Sequence, residues 1–182
     1  MKEKAEEAKL KNIVESATAY AAMARVFERG SMEKIKPKVE EFLSKLKEVS
    51  TEVEYHKCHE EFCRWFTRTI RRSKNQGSAS WGQAAKILDV GMKFCVYYCR
   101  LPSERVAERV LPWLNSAIDT PLLKDLKRIY DFSGASTLAD IDREKYEELQ
   151  KIIKVDMKRY GDILPVEYDD IRWRELNRDA LR

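Results

Sequence analysis

Ser80 to Leu101 reads SWGQAAKILDVGMKFCVYYCRL, a helix-length run whose apolar side chains go almost all the way round. At about 100° per residue, Trp81, Ala84, Ala85, Leu88, Met92, Cys95, Val96 and Cys99 make one broad face. Ile87, Val90, Phe94 and Tyr98 make a second, which leaves Lys86, Asp89, Lys93 and Tyr97 as a narrow polar strip. A helix wrapped in this way needs other helices against several of its sides. The expected fold is therefore all-α: a single compact bundle of seven or eight helices around a central apolar helix at about 80–101.

The flanking sequence supplies the packing partners, and residues 1–182 read as one helical domain. From Lys2 to Arg29, Leu10, Ile13, Val14, Ala17, Tyr20, Ala21, Ala24 and Phe27 recur at helical spacing. Gly30 and Ser31 then mark a stop and a new start. Met32, Ile35, Val39, Phe42, Leu46, Val49 and Val53 continue as a seam of alternating threes and fours, interrupted by Pro37. Three heptads suit an N-terminal helical hairpin over about 2–49 better than an intermolecular coiled coil. Thr51 with Glu54 gives a capping-box start for a third helix to about Arg72, and Ser80 caps the central one. Further helices are expected from Ser103 to Val110, from a Thr120 cap with Pro121 to Tyr130, and from about Asp142 to Tyr160. A C-terminal tail helix over about 168–180, capped by Asp169 or Asp170, completes the set. No stretch alternates with the period of two that a half-buried strand requires.

Composition narrows the function classes. Hydrophobic residues at 43% are enough for a core of ordinary size, and 36% charged residues leave no uncharged run long enough to span a membrane. The segment MKEKAEEAKLK lacks the apolar stretch of a secretory signal, so a cytoplasmic protein with no membrane partner is expected. In that setting Cys58, Cys63, Cys95 and Cys99 read as reduced thiols. Only seven Asn and Gln residues beside abundant Lys and Glu lean towards a thermophilic source. There is no Gly-rich phosphate loop and no G-x-S-x-G elbow. The Arg-to-His spacing of the helical ribonucleases called HEPN is also missing, because the nearest Arg before His56 is Arg29.

Three residue groups could carry chemistry. Residues 1–77 hold 17 basic and 13 acidic side chains, so the whole net charge of +4 lies there. Arg64, Arg68, Arg71 and Arg72, at i, i+4, i+7 and i+8, would form a stripe on the third helix leading to Lys74 and a loop before the central helix. Arginines beside a helix N-terminus suit nucleic-acid phosphates, and this is the leading expectation: a non-catalytic binding protein, a small subunit contacting nucleic acid. A protein partner or a homo-oligomeric scaffold is the alternative. A second group, His56, His59 and Cys63, has the spacing of zinc ligands but continues into the core positions Phe66 and Ile70, so a buried histidine beside a thiol is the better reading and no metal or cofactor is expected. A third, Lys86, Asp89 and Lys93, invites an enzymatic reading with a pKa-shifted lysine, although the spacing fits an ordinary i, i+4 ion pair between Asp89 and Lys93 better. Two lysines lining a closed pocket would favour the enzyme.

Overall fold

The structure is a computed structural model and describes residues 2–20, 25–73 and 77–177. Among the described residues there are eight α-helices: α1 (Lys2–Tyr20), α2 (Ser31–Lys45), α3 (Glu52–Thr69), α4 (Trp81–Met92), α5 (Glu104–Val110), α6 (Thr120–Tyr130), α7 (Arg143–Met157) and α8 (Pro165–Leu176). Among the described residues there is no strand, only isolated bridges between Phe27 and Arg72 and between Arg71 and Ser78. No helix among them is long and apolar enough to cross a membrane.

Ten of the twelve residues of α4 are buried, and it packs against α1, α2, α3, α7 and a turn at Leu138–Asp140. Its start is fixed by the reciprocal bonds of a capping box: Gln83 N–H donates to Ser80 Oγ at 3.2 Å, and Ser80 N–H to Gln83 Oε1 at 3.0 Å. Gly82 follows at a point of close approach, its N–H donating to the Ile141 carbonyl at 3.0 Å. A Cβ at this position would lie 2.6 Å from Ile141 Cβ and 2.8 Å from the Leu138 carbonyl oxygen. At its other end α4 passes into a π-helical turn, Lys93–Tyr98, in which Cys99 N–H reaches the Phe94 carbonyl five residues back. The segment is thus helical over 81–98, in two geometries, and stops short of the expected end where Arg100 turns at φ 54°.

The boundaries differ from expectation where tertiary contacts take over. Arg25–Gly30 is not helical: Phe27 turns inward edge-on to Phe66 at 5.3 Å, and the Glu28 N–H donates to the Arg71 carbonyl. Ala21 and Ala24 lie outside the described residues. Gly30, at φ 87°, makes the left-handed turn into α2, which runs through Pro37. Val53 leaves the predicted seam; it sits on α3 and is 78% exposed. Helix α6 is capped by Asp119, which accepts from Leu122 N–H at 2.8 Å, with Thr120 already inside the helix. Helix α8 begins at Pro165, so Asp169 and Asp170 stand in its middle and cap nothing. Residues 178–180 of the predicted tail helix lie outside the described residues.

Candidate functional site

The predicted polar strip runs from α4 into the π-helical turn, and its charged groups do not share a solvated edge. Asp89 is buried and turned towards α3 and α7. Its Oδ1 lies 2.9 Å from His59 Nε2, and its Oδ2 accepts from the Tyr146 hydroxyl at 2.7 Å. On the other ring nitrogen, His59 Nδ1 faces Cys63 Sγ at 3.8 Å. Burial works against a proton on His59, but Cys63 and the Asp89 carboxylate outweigh it and raise the imidazole well above its ordinary range. The i, i+4 pair between Asp89 and Lys93 is therefore absent: Asp89 spends both oxygens on groups 30 and 57 residues away in sequence.

This geometry also answers the metal reading. His56 Nε2 faces Glu52 at 3.4 Å, away from the His59 cluster. Among the described residues no three His, Cys, Asp or Glu groups are placed to hold a metal ion. Cys63 and Cys95 are buried free thiols, and burial pushes Cys95 up to about 12.

Lys86 and Lys93 point the other way, into a cleft of about 600 Å³ between α4 and α8 that Asp119, Asp169 and Asp170 also line. Seven residues apart, the two lysines are two turns from each other on one side of the rod. Lys93 is tied down: its Nζ donates to Asp169 Oδ2 at 2.5 Å and lies 3.2 Å from Asp170 Oδ1. Burial lowers its pKa, and the two carboxylates more than reverse this, for a net rise. Asp170 also accepts from the Tyr98 hydroxyl, which the π-helical turn carries to the cleft. Lys86 differs, because its half-buried ammonium makes no hydrogen bond or ion pair among the described residues. Burial lowers its pKa, partly offset by Asp119 and Asp169. Asp169, 7% exposed, is pushed up to about 6 because burial outweighs the adjacent Lys93. One cleft thus holds an amine with a weakened hold on its proton and a carboxyl raised above the ordinary carboxylate range.

Sequence reasoning found Lys86 and Lys93 but missed Asp119, Asp169 and Asp170. Asp119 was hidden by Thr120–Pro121, a credible cap of its own, and the α8 pair by the assumption that they began the helix. The Asp-Asp dipeptide facing a lysine-bearing apolar helix was the one available signal.

The arginine stripe is broken up. Arg64 and Arg68 are exposed on α3, with Arg64 paired to Glu60, which also accepts from Arg143 on α7 at 2.7 Å. Helix α3 ends at Thr69, so Arg71 and Arg72 are not on its face. They belong to the bridged segment, where Arg71 donates to Ser78 Oγ and Arg72 is half-buried opposite Phe27. Lys74 lies outside the described residues. The expected anion cradle at the start of α4 is already filled, because the Gly82 and Gln83 N–H groups are bonded to Ile141 and Ser80. Positive charge gathers instead along an α3–α7 groove of about 630 Å³, where Lys57, Lys151 and Lys154 are exposed around His59, Trp81 and Tyr146.

No family model matches the chain, and no curated protein or solved structure matches it either.

Proposed function

We propose that this protein is an enzyme acting on a small polar substrate held in the α4–α8 cleft. The observation that carries this reading is the convergence of Lys86 and Lys93 with Asp119, Asp169 and Asp170 around one cavity of about 600 Å³. Proton-transfer chemistry needs groups whose pKa values have moved towards the working pH, and desolvation at a cleft is how proteins move them. Lys86 and Asp169 shift in that sense, in opposite directions from their ordinary values. Lys93 supplies a fixed positive charge, and a salt-bridged lysine is well suited to hold Asp169 and Asp170 in place. Ligand-observed NMR against a panel of oxo acids, amino acids and sugar phosphates tests the reading. Binders are expected for the wild type and lost with Lys86→Met, with the helical circular-dichroism signal unchanged. A panel without binders, or binders indifferent to Lys86→Met, contradicts it.

A second reading, non-catalytic binding of nucleic-acid phosphates, is supported by the exposed cations on α3 and α7. Lys57 and Lys151 make no ion pair among the described residues, and with Arg64, Arg68 and Arg71 they could track a phosphate backbone. On this reading, binding to a generic single-stranded RNA weakens steeply with salt and is abolished by Arg64→Glu with Arg68→Glu and Arg71→Glu. Salt-independent binding, or none at low ionic strength, removes it.

A further inference from the structure

We infer that Lys86 is an amine nucleophile that condenses with a small aldehyde or ketone in the α4–α8 cleft. The inference rests on the cleft being a substrate site and adds the reaction class. The two lysines there are held in opposite ways. Lys93 is locked as a cation by Asp169 and Asp170, whereas Lys86 makes no bond that would fix its proton or its direction among the described residues. A lysine becomes nucleophilic when burial in a cleft removes its hydration and leaves its nitrogen without a fixed partner. Val90 and Ala117 contribute apolar wall beside it, and burial is the leading influence on its proton.

The cleft also holds the acid–base partner that imine formation requires. One oxygen of Asp119 is spent on the Leu122 N–H, and Oδ2 of Asp169 on Lys93. Each carboxyl keeps its other oxygen without a hydrogen bond among the described residues. In the step proposed, the neutral Lys86 amine adds to the carbonyl carbon, forming a C–N bond as the C=O π pair moves to oxygen. A proton passes from nitrogen to that oxygen through a cleft carboxyl, giving a carbinolamine. The same carboxyl then protonates the departing hydroxyl, which leaves as water while the nitrogen lone pair forms C=N, and the resulting carboxylate takes the iminium N–H proton to give the neutral imine. The balance is amine plus carbonyl to imine plus water, with no oxidant or reductant.

The test uses the full-length protein with pyruvate or acetaldehyde in the presence of cyanoborohydride, which reduces only the imine, followed by peptide mass spectrometry. The adduct is expected on Lys86 about tenfold faster than on the exposed Lys57 and Lys151. Asp169→Asn should slow it, and Lys86→Arg should abolish it with the fold intact. Modification of Lys86 no faster than of Lys57 and Lys151 overturns the inference. If that happens while Lys86→Met still loses small-molecule binders, the substrate cleft stands without carbonyl chemistry. If no Lys86-sensitive binder exists either, both readings fall.

Discussion

Two core tyrosines differ in what their hydroxyls meet. The Tyr146 hydroxyl donates to Asp89 at 2.7 Å, whereas that of Tyr55, equally buried, has no partner among the described residues. Removing a satisfied hydroxyl strands its acceptor, at about 1–3 kcal/mol, while removing an unsatisfied one costs nothing. Tyr146→Phe is therefore expected to lower the urea midpoint and Tyr55→Phe to leave it unchanged or raise it. The adjoining His59 adds a pH dependence of known sign. Its folded pKa lies above its unfolded value, so its contribution is full below about pH 6.5 and is lost as pH rises through the folded value. Denaturation midpoints should fall across that window in the wild type and fall less in His59→Gln. Asp169, also raised, acts lower on the scale: its contribution fades between its unfolded value near pH 3.9 and about 6.

At the level of elements, Gly82 decides how closely α4 approaches the Leu138–Ile141 turn. A Cβ there meets backbone and a branched side chain, neither of which yields easily. Gly82→Ala should destabilise by about 1–3 kcal/mol, measured by thermal or urea unfolding, even though alanine is the better helix former. Helix α8 is held by a different device. Buried Asp156 of α7 accepts from Tyr168 of α8 at 2.8 Å and from Tyr130 of α6 at 2.7 Å, while Arg172 of α8 pairs with Asp125 of α6. Helices of this bundle are legible in sequence wherever the signal is local. Thr51 and Ser80 cap as their spacing implies, and Gly30 turns the chain as glycine should. Two of the failures are non-local. The first helix was expected to reach Arg29 because Phe27 continues its apolar rhythm, yet Phe27 uses its ring on Phe66 of α3 instead. The capping box at Thr51 opens a third helix whose pattern predicts an end at about Arg72, yet Arg71 and Arg72 pair their backbone with Ser78 and Phe27.

For the whole molecule, the same limit explains how much of the candidate site could be seen in advance. The apolar circumference of the 80–101 segment leaves its few charges either facing water or, if other helices enclose them, in need of partners. It could not show which partners, because His59 and Tyr146 lie 30 and 57 residues from Asp89, and Asp169 lies 76 from Lys93. Ion pairing at i, i+4 was the local solution for Asp89 and Lys93, and the bundle instead sends Asp89 to α3 and α7 and Lys93 to α8. The result separates a buried His–Asp–Tyr cluster from an open amine–carboxyl cleft on opposite sides of one helix. The most direct measurement of that arrangement is the titration of the lysine side chains by NMR, with Lys86→Arg and Lys93→Arg used for assignment. Lys86 should titrate below the ordinary lysine value of about 10.4 and Lys93 above it. Two lysines titrating together at the ordinary value, or Lys86 above Lys93, would contradict the cleft as described.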